Sequence, residues 1–209
     1  MLAGGRGLRM GSVTNIVPKP LLFIRDNKTM LEISIDNFKK QGFNKFYLIT
    51  NYMANLVQSY VEHTFVKTDI TFINEIKYLG TAGGLRLLDL HEPFFCSNCD
   101  VWINAEYIEI YKQHLKTKAD MTIVTTNKWF TLPYGTFILD DNKIIKIEEK
   151  PVYLNIINTG LYIINPNILK LIDNNSIDMP ELINKSINEG FSIYAYNVLP
   201  KQFIDVGTL

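Results

Sequence analysis

The chain has 209 residues, enough for one α/β domain with a sizeable core, and 47% of them are hydrophobic against 20% charged. Lys and Arg together number 21, as do Asp and Glu, so there is no basic excess of the kind that holds DNA or RNA by its phosphates. No apolar run approaches the roughly 20 residues that cross a bilayer, and residues 1–5 lack the basic and apolar regions of a signal peptide. The expected ligands are small anions bound at a local site in the cytoplasm, with neither nucleic acid nor membrane as partner.

In chain order, the first elements are a glycine-rich loop and then a helix. The helix starts at Thr29, with Glu32 completing a capping box, carries Leu31, Ile35 and Phe38 on one face, and stops at Gly42. Apolar runs at Phe46–Thr50, Ile70–Ile73, Phe94–Ser97 and Met121–Thr125 read as short buried strands. Helical patterns at Ala54–His63, Ala82–Leu90 and Ala105–Lys116 lie between them. This alternation predicts right-handed crossovers and a mostly parallel sheet covered on both faces. After Pro133 the pattern changes to strands at Tyr134–Leu139, Ile144–Glu149 and Ile156–Ile164, the first two joined by the turn Asp140-Asp141-Asn142. A short helix near Pro166, another after Asp178 and a strand at Ser192–Val198 complete the pattern. Trp102 is expected in the core; Trp129 and Phe130 fit core, interface or pocket lid equally.

Ligands of open α/β sheets sit beyond the carboxyl ends of the strands, and four constellations fall there. In the first, Gly4, Gly5 and Gly7 remove Cβ atoms from a loop whose N–H groups can cradle phosphate, with Arg9 as a bidentate donor and Lys19 held between Pro18 and Pro20. It matches neither the dinucleotide fingerprint nor the P-loop. The second is Glu75 followed by Leu79-Gly80-Thr81-Ala82-Gly83-Gly84, a strand-to-helix turn that can meet a base or an anion, or that is simply a helix start capped by Thr81. The third is Asp100, after the strand Phe94–Ser97, with Asp205 as a second acid after an apolar pair. Two carboxylates with phosphate oxygens suit Mg²⁺. The fourth is Glu148-Glu149-Lys150 with Asn158-Thr159-Gly160, suited to sugar hydroxyls and a phosphate, where Glu148 reads as a solvated surface charge. Cys96 and Cys99 form a lone C-x-x-C within an apolar run and read as small buried hydrophobes rather than a metal or redox pair.

The succession LAGGRGLRM, PKPLL, LGTAGGL, SNCD, YGTF, EEKP, NTGLY and IDVG resembles the sugar-1-phosphate nucleotidyltransferase family over essentially the whole chain. The resemblance implies a Rossmann-like three-layer α/β sandwich with a partly antiparallel sugar-binding half. It also implies transfer of a nucleoside monophosphate from an NTP to a sugar 1-phosphate, with release of pyrophosphate. By position, Ala3, Gly4, Gly5 and Gly7 would wrap the nucleotide, Arg9 the leaving pyrophosphate, and Lys19 the reacting phosphates. Gly80 and Thr81 would meet base and ribose, and Asp100 and Asp205 would ligate Mg²⁺. Gly135, Glu149, Asn158 and Gly160 would line the sugar pocket, with Lys150 on the sugar phosphate.

The chain departs from the family at Leu8, where Thr is usual, and at Cys99, where Gly is commoner. Against the family pattern, residues 1–209 read as a single domain lacking the first strand and the closing helix. The Ser-Asn-Cys-Asp and Ile-Asn-Thr-Gly variants most resemble a subfamily that follows a pair of CBS domains and makes activated sugars for surface glycans. The resemblance leaves the base, the sugar and the oligomeric state open, a homo-oligomer included. Two other readings compete with it: cytidylyl transfer to a non-sugar phosphate such as phosphocholine, and a regulatory module that binds a nucleotide sugar without turnover.

Overall fold

The computed structural model describes residues 1–25 and 27–205, without the side chains of residues 8–10 and 25. Its centre is a sheet built in two pieces. β3 (Lys45–Thr50) and β4 (Asp69–Asn74) pair in parallel. β5 (Phe94–Ser97), β10 (Val152–Ile164), β7 (Met121–Thr131) and β11 (Ile193–Val198) form a four-stranded sheet in the order β11-β7-β10-β5. Leu2 joins the two pieces, bridging in parallel to Ile49 on one side and Asn98 on the other. Because β10 is antiparallel to both β5 and β7, while β11 is parallel to β7, five strands run one way and β10 alone is reversed. The expectation of a mostly parallel sheet holds.

Alternate residues of each strand serve opposite cores, as the period of two requires. Leu48, Leu161 and Ile163 pack beneath α1 (Met30–Lys40), α2 (Ala54–Thr64) and α4 (Tyr107–Thr117). Ile49, Tyr162 and Ile164 face the other layer, made by α3 (Gly80–Gly83), the 3₁₀ turn Pro166–Leu171 and α5 (Met179–Asn188). Leu48, Leu161, Ile163 and Ile164 are no more than 1% exposed, and each such side chain contributes about 2 kcal/mol by leaving water. α1 begins as its sequence requires: the Thr29 hydroxyl accepts from the Glu32 amide (3.2 Å), and the Glu32 carboxylate accepts from the Thr29 amide (2.8 Å).

Two sequence expectations are corrected. The helix expected over Ala82–Leu90 is one α-turn followed by a 3₁₀ turn, Gly84–Leu87. Adjacent Gly83 and Gly84 weaken helix propagation, and Leu88 is already extended. Trp102 is half-buried on β6 (Val101–Ile103), opposite Ile204 of β12 (Phe203–Asp205), and not in either core. Neither β6, β12 nor the small antiparallel pair β1 (Phe23–Arg25) and β2 (Lys28–Thr29) carries enough apolar pattern to be read from sequence.

Beyond its buried half, β10 continues with β7 as an exposed two-stranded extension on which Trp129 and Phe130 are 63% and 45% exposed. The hairpin β8 (Thr136–Asp140) and β9 (Lys143–Glu148) lies between these strands in the chain and is exposed along most of its length. Among the described residues, no helix is long and apolar enough to cross a membrane.

Candidate functional site

The glycine loop leaves the sheet at the carboxyl ends of β3 and β5. Leu2 N–H donates to Ser97 O and Ala3 N–H to Ile49 O, both at 2.8 Å, while Cys99 N–H donates to Leu2 O (3.2 Å). Residues 3–7 are thereby launched over the sheet edge where strand-end chemistry gathers. Gly7 is left-handed, with φ +66°, and a Cβ there would lie 3.0 Å from both the Lys19 Cβ and the Thr14 Cγ2. Only glycine lets the loop pass this close over Lys19. Among the described residues, nothing lies within 4 Å of a would-be Cβ on Gly5.

Lys19 opens a 3₁₀ turn between Pro18 and Pro20, and its ammonium donates to the Asp100 carboxylate. Both side chains are 13% exposed. Asp100 immediately precedes β6, and the antiparallel ladder with β12 sets Asp205 opposite Val101. The two predicted metal acids thus come from neighbouring positions of paired strands. Among the described residues no cluster of three His, Cys, Asp or Glu side chains forms. A cation held by Asp100 and Asp205 would therefore complete its shell with ligand or water oxygens, a donor set suited to Mg²⁺.

The opposite wall is the turn into α3. Gly80 has φ +84°, and a Cβ on it would overlap the Ile177 carbonyl. Thr81 does not cap the helix through its own side chain: Leu79 is the N-cap, and no side-chain cap bond is made there. Instead Asp178 reaches across from the start of α5. Its carboxylate accepts from the Thr81 amide (2.8 Å) and hydroxyl (3.1 Å), while Met179 N–H donates to the same hydroxyl (2.8 Å). The Thr81 hydroxyl is thus engaged in holding the wall.

Between the two walls stands Glu75. Its amide continues the β3–β4 pairing by donating to Thr50 O (2.8 Å), and its carbonyl accepts from the Asn51 side chain (2.8 Å). The residue is only 7% exposed, and Oε1 is buried with no hydrogen-bond partner among the described residues. Burial pushes its carboxyl up to about 7, against a smaller opposing effect of a backbone hydrogen bond from Leu79. Sequence reasoning named Glu75 but gave it no role of its own. Its signal was there to read: it is an acid placed directly after an apolar strand.

These walls enclose one cleft of ≈ 590 Å³. Ala3, Gly4, Gly5, Gly7, Lys19, Gly80, Thr81 and Asp100, scattered over a hundred residues of sequence, all line it. So do Asn51, Glu75, Tyr78 and Asn98, which had not been assigned. Gly160 is brought to its margin: Asn98 N–H donates to Gly160 O (3.0 Å), and a Cβ on Gly160, whose φ is +88°, would lie 2.6 Å from the Asn98 side-chain nitrogen. Asn158 holds that bend, accepting from the Gly160 amide (2.9 Å) and donating to the Tyr162 hydroxyl (2.7 Å).

Gly135 and Glu149 meet each other, since a Cβ on Gly135 would lie 3.0 Å from Glu149 Oε2, but neither they nor Lys150 line the cleft. Lys150 is exposed and left-handed, with φ 47°. Glu148 pairs with Lys146 at 2.5 Å, the solvated surface charge expected of it. The Arg9 side chain and residues 206–208 of the last motif fall outside the described residues. Cys96 and Cys99 are free and buried, and burial pushes their thiols up to about 11 and about 12, as inert apolar residues.

Comparison with known proteins places this geometry. The family model described as "Nucleotidyl transferase" matches residues 1–209. A mannose-1-phosphate guanyltransferase of Yarrowia lipolytica is 32% identical over 99% of the chain and 60% of its own length. A UTP–glucose-1-phosphate uridylyltransferase of Synechocystis is 29% identical over 99% of the chain and 59% of its own. The crystal structure of HddC from Yersinia pseudotuberculosis complexed with GMP-PN superposes with a TM-score of 0.73 at 26% identity, covering 99% of this chain and 92% of that one. The chain spans about 60% of the length of the sequence relatives it matches. On the match along its whole length, the chain belongs to the nucleotidyl transferase family.

Proposed function

We propose that this chain is the nucleotidyltransferase domain of an enzyme that joins the nucleoside monophosphate of an NTP to a sugar 1-phosphate and releases pyrophosphate. The observation that carries this reading is the gathering in one cleft of the glycine loop, Lys19, Asp100 and the Gly80–Gly84 turn, with Asp205 across the β6–β12 ladder.

In this reaction an oxygen of the sugar phosphate attacks the α-phosphorus in line. The bond from that phosphorus to the bridging oxygen breaks, and pyrophosphate leaves with the electron pair. The nucleophile is already ionised, so positioning and charge neutralisation are the main tasks. Gly4, Gly5 and Gly7 bring backbone close to the triphosphate, and Lys19 and Arg9 supply positive charge. Asp100 and Asp205 would hold Mg²⁺, which when bound would neutralise phosphate oxygens. Gly160 and Asn158 shape the margin where the sugar lies, while Gly135, Glu149 and Lys150, which flank the β8–β9 hairpin, lie outside the cleft. Action in the cytoplasm, on an activated sugar destined for surface glycan assembly, belongs to the same reading.

The test is pyrophosphate release with Mg²⁺, using four NTPs against several hexose- and hexosamine-1-phosphates. A signal from at least one pair, lost in Asp100→Asn and Asp205→Asn variants that still melt cooperatively, supports the assignment. Nucleotide binding without pyrophosphate from any pair rejects it in favour of a binding module.

A further inference from the structure

We infer that Arg6 binds phosphate in the cleft and holds the pyrophosphate end of the nucleotide as it departs, a role that rests on the proposed nucleotidyl transfer. Arg6 stands between Gly5 and Gly7, is exposed, and lines the cleft. Its guanidinium lies over the Tyr52 ring, 5.8 Å from the centroid, within reach of the attraction between a cation and an aromatic face. Tyr52 is itself tied to the glycine loop, since its amide donates to Gly4 O (3.4 Å). The two segments touch closely there: a Cβ on Gly4 would lie 3.2 Å from the Asn51 nitrogen. A long side chain that would otherwise sample many rotamers is thereby held on the segment that follows β3. Stacked on a ring, a guanidinium keeps the N–H groups of its edge free for a phosphate.

The charges of the cleft favour an anion at this place. Among the described residues that line it, the cations are Arg6 and Lys19. Lys19 is engaged by Asp100, whereas Arg6 makes no ion pair among the described residues. Which phosphate Arg6 meets follows from the strand order. Asn158 and Gly160, the proposed sugar margin, lie on β10, which pairs with β5 on the far side of Leu2 from β3. A sugar phosphate entering from that margin attacks the α-phosphorus opposite the leaving oxygen, because the displacement is in line. Pyrophosphate therefore leaves toward β3, where Tyr52 holds Arg6. As the bond from the α-phosphorus to the bridging oxygen breaks, its electron pair goes to the pyrophosphate and no proton has to move. A guanidinium already in place meets the charge that develops there.

The test titrates the 209-residue chain, in Mg²⁺, with inorganic pyrophosphate and with the pairs GTP and GMP, UTP and UMP. Arg6→Gln is expected to weaken pyrophosphate, and whichever triphosphate the parent binds, by at least about 10-fold. The matching monophosphate should stay within about 3-fold of its parent affinity. Arg6→Lys should regain part of the loss, because the charge returns without the planar fork. Tyr52→Leu, which removes the ring and keeps the guanidinium, should weaken pyrophosphate by about 3-fold. Thermal melting confirms folding, and Tm of Arg6→Gln should lie within about 1 °C of the parent, since Arg6 is exposed. Unchanged pyrophosphate affinity in Arg6→Gln overturns the inference. So does a loss shared equally by monophosphate and triphosphate, which would put Arg6 on the α-phosphate. Either result, with pyrophosphate still released by the parent on turnover, overturns the role of Arg6 alone. A parent chain that binds neither NTP nor pyrophosphate removes the proposed function and the role of Arg6 together.

Discussion

The Lys19 ammonium donates to the carboxylate of Asp100, 81 residues further along the chain, and so pins the loop after the glycines to the end of β5. Both side chains are only 13% exposed, so the pair is less screened than a surface ion pair. Lys19→Met leaves the largely buried Asp100 carboxylate without the Lys19 ammonium. It is expected to cost about 2 kcal/mol in chemical denaturation. If Asp100 also serves a metal, Asp100→Asn lowers turnover roughly 100-fold or more while shifting Tm by only a few degrees. Turnover within a factor of a few of the parent would count against that role.

Two glycines of the cleft separate ligand contact from folding. Gly80→Ala places a Cβ into the Ile177 carbonyl at a left-handed position and is expected to destabilise by about 2 kcal/mol or more. That corresponds to a Tm lower by roughly 6 °C in a chain of this size. Gly5→Ala meets nothing within 4 Å among the described residues, so its Tm should stay within about 1 °C of the parent. Loss of nucleotide affinity in Gly5→Ala would therefore report crowding of the ligand itself. An unchanged affinity would show that the loop does not approach the nucleotide there.

Gly160→Ala tests the junction between β10 and the cleft. A side chain at φ +88° is strained, and its Cβ would press on Asn98, a cleft wall residue. The expected outcome is a loss of about 2 kcal/mol in stability, together with weaker sugar-phosphate binding than nucleotide binding. Calorimetric titration of the two ligands separately provides the check, and an equal weakening of both would place the effect on the whole cleft.

Glu75 makes stability depend on pH in the unusual direction for a carboxylate. Its folded value, about 7, lies above its ordinary 4.5, so between these the folded chain holds a proton that the unfolded chain has released. This contribution is fully present below pH 4.5 and is lost as the pH rises to about 7. Arg6, Lys19, Tyr78 and Asp100 share the cleft and are unchanged in the comparison. The difference in Tm between the parent and Glu75→Gln is therefore expected to move in favour of Glu75→Gln as the pH rises across that window. A pH-independent difference would show that the carboxyl titrates in its ordinary range.

Much of the fold was legible in the chain because local rules suffice where an element is regular. The capping box at Thr29, the period of two that sends Leu48 and Ile49 to opposite cores, and the uninterrupted run Phe94–Ser97 each specify their element without a distant partner. The glycine loop, Lys19 and Asp100 were also readable as candidates, since glycines and acids at strand ends are costly unless used. What tertiary structure decided is which of these meet. Lys19 finds Asp100 and Val101 finds Asp205, and Asp178 rather than Thr81 itself caps the turn at Gly80, because backbone pairing between remote segments sets those distances. Short strands such as β6 and β12 have too few residues to show a period, so only their partners fix them. Burial is the other property that no single residue carries. Glu75 reads as an ordinary acid in sequence, and it becomes a desolvated carboxyl only once Gly4 and Gly84 close around it.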